Sequence, residues 1–429
     1  MQDSHSDAIP WAYVILLTLG AFSAFLTTTI VMVITPKLML SLGVGTYRVA
    51  WITNIYMITS GIVVPVSGYL GDRVGMKKLF ILALAVYTLG SFFCGISNNL
   101  SELLIARCIQ AMGGGFLMPV TSAIIMRIVP PRRLGTAMGV RGLAVGVAPA
   151  VGPLLGAYLT DKLGWHAIFL INVPMGIIMI PLIFFVLPEV EGYKEPGMDW
   201  SGMLLSSVTI FTALLAVSEG QKVGWTSEYI VVLFTVSFFF MLLFTIWELT
   251  SERPMLDLRL LKNPVFSISI SVAVMATVGM YAIIYFVPLF AETVLHYTLI
   301  ETGLVLLPAG LVMGAMTMLG GILFDRVGAM PLCLGGLTFA AILTLKIAFI
   351  NPDTSYSTLA WLLVLRSVGL GIALFPLAIA ALYTVPRRLA GRATAINSVA
   401  RMVPSAIGLA FFTFILNKEE VVHYTKMAA

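Results

Sequence analysis

The chain has 429 residues, of which 59% are hydrophobic and only 10% charged, with a mean hydropathy of +1.00. A soluble domain is nearer half apolar and a quarter charged, so this composition excludes a soluble enzyme or a nucleic-acid binder and implies a polytopic membrane protein. The formal net charge of +5 is then a matter of topology, and no nucleic-acid partner is expected.

A membrane-spanning helix needs about twenty apolar residues. In chain order the apolar runs predict spans near 11–34, 48–71, 78–97, 101–126, 136–160, 165–187, 200–218, 228–248, 266–290, 299–323, 330–350, 357–383 and 391–416, about thirteen in all. The first nine residues hold no Lys or Arg, so the first run reads as a retained span and not as a signal peptide. Loops holding Arg73, Lys77, Lys78, Arg127, Arg132, Arg133, Arg326, Arg387 and Arg388 alternate with poorer ones holding Lys37, Lys162 and Lys222. The positive-inside bias places the richer set, and with it the N-terminus, in the cytoplasm. Cys94, Cys108 and Cys333 lie in apolar runs without C-x-x-C spacing, so neither a disulfide nor a metal site is expected.

The gap between the second and third spans reads Gly68-Tyr69-Leu70-Gly71-Asp72-Arg73-Val74-Gly75-Met76-Lys77-Lys78. Charges at such a junction sit where two membrane helices meet water and can pair with each other or with helix ends. The pattern returns as Gly321-Ile322-Leu323-Phe324-Asp325-Arg326-Val327-Gly328, 253 positions later (325 − 72). Pro131-Arg132-Arg133 returns as Pro386-Arg387-Arg388, and Pro149 as Pro404, each at an offset of 255 (386 − 131, 404 − 149). Spans one to five therefore repeat as spans nine to thirteen. The pair at 200–218 and 228–248 belongs to neither repeat, and nothing before Ala429 repeats the sixth span. The expectation is an all-α integral membrane protein of two six-helix repeats with an inserted helix pair and one last helix missing. Its parts are 1–190 (first bundle), 191–262 (inserted pair with linkers) and 263–429 (second bundle, five spans).

The G-x-L-x-D-R-x-G-x-K-K loop resembles the signature loop of the major facilitator superfamily. Six plus six helices with a central inserted pair resemble its fourteen-helix drug:proton antiporter branch, the EmrB/QacA type. Span four, Arg107-Cys108-Ile109-Gln110-Ala111-Met112-Gly113-Gly114-Gly115, is similar to the branch's R-x-x-Q-G-x-G pattern. Span five, Ala148-Pro149-Ala150-Val151-Gly152-Pro153-Leu154-Leu155-Gly156-Ala157, is similar to its antiporter motif. The resemblance implies an exporter working by alternating access, with no covalent chemistry and no cofactor. Asp72 would latch spans two and eleven when the transporter faces out, with Asp325 as counterpart. Pro149, Gly152, Pro153 and Gly156 would give span five its bend and its close contacts.

The first span departs from the branch. Where relatives read L-D-x-T-I-V-N, this chain reads Leu26-Thr27-Thr28-Thr29-Ile30-Val31-Met32, so Thr27 stands in place of the acid. No carboxylate falls at mid-depth in any span; the central charges are Arg107, Arg141, Arg366 and Arg401. Intramembrane arginine is costly and faces a cavity or a partner, and each of these could instead bond backbone carbonyls and pack helices. Cations without acids suit an anionic amphiphile. Asn54, Gln110, Tyr281, Tyr285 and Asn397 are the polar and aromatic positions that could line the same space. The coupling ion is a proton or another ion, carried by Glu102, Glu292, Asp72 or a carboxylate on the substrate. The expected setting is the bacterial cytoplasmic (inner) membrane, with a small-molecule substrate and, in a Gram-negative host, a periplasmic adaptor. The alternative is a non-transporting sensor or partner protein on a transporter scaffold.

Overall fold

Gly75 and Gly328, the glycines that close the two copies of the signature loop, have φ of +99° and +78°. An L side chain is strained at such angles, so each loop reverses between consecutive helices on a single residue. The computed structural model describes residues 9–190, 199–252, 254–351 and 353–428. The side chains of Pro153 and Arg387, and those from residue 416 onward, lie outside the described residues.

Every regular element among the described residues is helical. The long helices are α1 (Trp11–Leu42), α2 (Thr46–Val74), α3 (Met76–Ile96), α4 (Leu100–Ile128) and α5 (Leu134–Leu163). A short α6 (Ala167–Leu170) and α7 (Asn172–Val186) complete the first half. The inserted pair is α8 (Trp200–Val223) and α9 (Glu228–Thr250). The second half holds α10 (Pro264–Thr293), α11 (Leu299–Val327), α12 (Ala329–Ile347), α13 (Tyr356–Tyr383) and α14 (Ala390–Ala428). Starts are capped by side chains that accept from early backbone N–H groups, among them Asn99, Asp199, Ser227, Asn263 and Ser355, which satisfies donors a helix leaves free. Thr298 and Glu301 form a full capping box on α11.

Among the described residues, eleven helices are long and apolar enough to cross a membrane, and α5, bent by 54° between Pro149 and Leu154, makes a twelfth if counted as one span. The thirteenth expected span, 391–416, falls on α14. Helices outrun the apolar windows: α1 continues past residue 34 to Leu42 and stops only where Gly43 turns left-handed at φ +62°. Hydropathy marks the crossing, whereas backbone hydrogen bonding sets the helix end.

Helix contacts in the two halves correspond. In the first, α3 and α2 pack on α4 and α1 packs on α5; in the second, α12 and α11 pack on α13 and α10 packs on α14. Two seams join the halves, α5 with α11 and α2 with α14, while α8 packs on α9, α2 and α14. Asp72, Arg73, Lys77, Lys78, Arg132 and Arg326 fall at the α2–α3, α4–α5 and α11–α12 turns, all at one end of the molecule, the basic end.

In lipid, helices gain little from burying apolar side chains against one another and rely on close contact of small residues. The α5–α11 seam does this along its half nearer the basic end. A Cβ on Gly146 would lie 2.8 Å from the Gly314 Cα, and one on Gly139 would lie 2.9 Å from the Met318 carbonyl oxygen. Past the bend, α5 turns to α1 instead: a Cβ on Gly156 would meet the Ile30 side chain at 2.7 Å, and Gly152 faces Thr29.

Candidate functional site

Between the halves lies a small cavity of about 20 Å³, lined from the first half by Ser122, Met138 and Arg141 and from the second by Phe375, Thr394, Asn397, Ser398 and Arg401, among others. α5 and α14, equivalent helices of the two repeats, each bring one arginine to it. Arg141 is 8% exposed. Its Nη2 donates to the Met118 carbonyl oxygen at 3.3 Å and approaches the Met118 sulfur at 3.4 Å, and its guanidinium lies 5.9 Å from the Phe375 ring centre. Its Nε has no partner among the described residues. Arg401 Nε donates to the Asn397 carbonyl oxygen at 3.3 Å, while the buried Asn397 Oδ1 has no partner. No Asp or Glu lines the cavity. Tyr281 neighbours Arg401.

The other two central arginines lie elsewhere. Arg107, fully buried, belongs to a cluster inside the first half. Its Nε donates to the Ile52 carbonyl oxygen at 3.1 Å, its Nη1 to Gln110 Oε1 at 2.6 Å, and Gln110 Nε2 donates to Ser91 Oγ at 2.7 Å. The Tyr56 ring covers the guanidinium at 4.2 Å. Arg366 donates to Thr344 Oγ1 at 2.9 Å and to the Gly279 carbonyl oxygen at 3.2 Å, tying α13 to α12 and α10. The four cations therefore do not share one space. Arg107 and Arg366 sit on the faces of α4 and α13 that pack within their own halves, where each bonds a backbone carbonyl, whereas Arg141 and Arg401 face across the junction.

Thr27, in the position of the missing acid, is buried in a polar knot. It lies 2.9 Å from Tyr87 Oη, accepts from Asn172 Nδ2 at 2.9 Å and donates to its own-helix Ser23 carbonyl. Asn54 is half-buried, and Tyr285 is 44% exposed on the outside of α10. Glu102 and Glu292 are exposed, Glu102 bonding the backbone N–H of Asn98 at the start of α4.

At the basic end the signature residues divide. Arg73, Lys78 and Arg326 are exposed, whereas Asp72 and Lys77 are buried. Asp72 forms a buried ion pair with Arg127 of α4. Lys77 lies 3.7 Å from Glu189 and faces the Phe184 ring. Asp325 reaches across to the start of α5, accepting from the N–H groups of Gly135 and Thr136 at 2.8 Å each and from the Thr136 hydroxyl at 2.6 Å. A carboxylate there is favoured by the free N–H groups and the dipole of the helix start. The expected latch of span two with span eleven, which is α12, gives way to other pairings. α2 meets α14, where a Cβ on Gly68 would lie 2.5 Å from the Gly391 carbonyl carbon, and α11 meets α5, so the cross-junction carboxylate is Asp325. Crossing of equivalent helices about the junction dictates that exchange.

Three carboxylates outside the expected site are buried or accept several hydrogen bonds in the fold. Glu248, 0% exposed, accepts from the Leu256 N–H at 3.1 Å. Asp199 accepts from Gly202 N–H, Met255 N–H and Trp247 Nε1. Glu219, 7% exposed, accepts from Tyr47 Oη at 2.7 Å, and Lys222 lies 3.5 Å from the Tyr47 ring centre. Asp199 was legible as a cap before Trp200; the Tyr47–Glu219 pair, 172 residues apart, left no local signal.

The sequence profile described as Major Facilitator Superfamily matches residues 17–409. The chain is 33% identical to the uncharacterized MFS-type transporter YhcA of Bacillus subtilis, over 98% of this chain and 79% of that protein. It is 30% identical to Multidrug resistance protein 3 of the same organism, over 92% and 77%. Among solved structures, the MFS proton:xylose symporter XylE superposes with a TM-score of 0.69 over 96% of this chain and 90% of that one; at 15% identity the likeness concerns the fold alone.

Proposed function

The chain belongs to the Major Facilitator Superfamily, and from that premise we propose that it is a proton-coupled exporter of anionic amphiphilic small molecules, of the fourteen-helix antiporter branch. In this reading it sits in a bacterial cytoplasmic membrane with its N-terminus and its basic end inside. Export is supported by relatives named for multidrug resistance. The observation that carries the choice of an anion is that Arg141 and Arg401 line one cavity between the halves without a carboxylate beside them. A lipophilic cation entering there would meet uncompensated like charge, whereas a carboxylate or sulfonate would gain charge-assisted hydrogen bonds.

Alternating access would proceed by rocking the two halves about this junction. Closure at the basic end is the arrangement of an outward-facing carrier, held by the glycine contacts and by Asp325 on α5. Protonation of Asp72, the buried carboxylate of the gate, would break its pair with Arg127 and loosen that end.

The test is efflux of matched anionic and cationic dyes from everted vesicles carrying wild type, Arg141→Ala or Thr27→Asp. Wild type exports the anion in preference. Arg141→Ala loses about tenfold or more of that export, the worth of one charge-assisted contact, and Thr27→Asp gains cation export. Wild-type export of cations that Arg141→Ala leaves unchanged would make the arginines structural.

A further inference from the structure

We propose that Arg141 and Arg401 hold a single halide-sized inorganic anion, chloride in the cell, in the cavity between the halves, and that this ion helps keep the basic end closed. The site goes beyond the transport reading; it concerns a resident counter-ion and not the exported cargo, although both involve Arg141.

Buried charges in proteins are paired or neutralised, because an ion taken from water without a partner is strongly unfavourable. Here two guanidiniums line the same small space, and the acceptors they reach are neutral: the Met118 and Asn397 carbonyls and the Met118 sulfur. Arg141 is more than nine-tenths buried, and its Nε donor has no protein partner. Asn397 shows the same shortage from the other helix. Its Oδ1 is buried and without a partner among the described residues, and turning the amide over, which exchanges two nearly indistinguishable atoms, would put a donor in its place.

Size selects the occupant. A single water needs about 10–15 Å³ of such space, and the cavity offers about 20 Å³. That leaves room for a monatomic ion or a water while the halves are together; the amphiphile of the transport reading would enter only once they part and the ion has left. Of the two candidates, only the ion neutralises the guanidiniums. Because α4 and α5 supply one wall and α13 and α14 the other, the ion bridges the halves. Separating them would expose it to water and release it.

The experiment follows thermal unfolding of the purified full chain in lipid nanodiscs while chloride replaces gluconate at constant ionic strength, with bromide as a second halide. Wild type should gain stability saturably with either halide, as expected for a ligand bound only by the folded state. Arg141→Gln and Arg401→Gln should each weaken halide binding about tenfold or more, while Arg132→Gln, on an exposed turn, keeps the wild-type response. The two cavity variants should also cross wild type: at least as stable in gluconate, where the unpaired charge is gone, and less stable in chloride. Equal wild-type stability in chloride and gluconate would overturn the proposal, as would a full halide response in both cavity variants. If a variant fails to fold, the wild-type titration decides alone. A halide effect without Arg141-dependent dye export would leave this site standing and sink the transport reading; dye export without a halide effect would do the reverse.

Discussion

The two seams that join the halves are equivalent by the repeat yet built differently. Along α5 and α11 the backbones touch over several turns, with Gly139, Gly146, Gly314 and Gly321 leaving no room for side chains. Along α2 and α14 the tight contact centres on Gly68 and Gly391, one turn from the buried Asp72 and beside the buried Arg392. Farther along, at Gly61, the neighbours are side chains of α8 and α14, Ile210, Leu214 and Met402. One seam joins glycine contacts over several turns to the Asp325 clasp on α5; the other rests on one tight glycine contact and on a third helix. A repeated topology fixes which helices meet, and the side chains then decide whether a contact acts as a bearing or as a clasp.

The largest effect should come from the buried ion pair that ties α2 to α4 behind the α2–α14 seam. Asp72→Asn keeps the volume but leaves Arg127 buried without its counter-charge, a loss of about 3–5 kcal/mol for a buried pair. Chemical denaturation of the purified protein reads it, and export should fall with membrane insertion intact. A change under about 0.5 kcal/mol would show that α2 does not depend on this pair for its place against α4. Next comes Gly146→Val on the α5–α11 seam, where a side chain would press on the Gly314 backbone. Overpacking of this kind costs about 1–3 kcal/mol. Gly303→Ala on the same α11, where nothing lies within 4 Å of an added Cβ, should be neutral or slightly stabilising and serves as its measure in the same thermal scan. The smallest effect is that of Tyr47→Phe, which removes the hydroxyl that Glu219 accepts from. It should cost about 1 kcal/mol and raise hydrogen exchange at the start of α2 and the end of α8. Unaltered exchange there would mean that α8 is held by its apolar face alone.

The spans, the repeat and the paired signature loops could be read from the sequence, because each is local: a run of apolar residues, or a motif at a fixed offset. That Thr27 replaces an acid could be read too, but not that Tyr87 and Asn172 close around it. The partition of the four arginines was beyond reach for a geometric reason. Hydropathy places a residue along the membrane normal and is silent about rotation round the helix axis, so Arg107 and Arg141 look alike until packing turns one into its own bundle and the other across the junction. The same blindness exchanged the helix partners at the gate. The burial of Glu248 at the end of α9 could not be read either, because cover by a following loop cannot be seen in a hydropathy window.

The position of α8 bears on how a lipid-dissolved molecule could arrive. Two flanks of the junction face the bilayer. One is zipped backbone to backbone by glycines; on the other, α8 lies against both α2 and α14, with Ile58, Ile210, Leu214, Val399 and Met402 in one apolar cluster. While both hold, neither flank offers a sideways portal at that depth. A hydrophobic cargo taken up from the inner leaflet would have to displace α8 first, which makes that helix a door as well as a buttress.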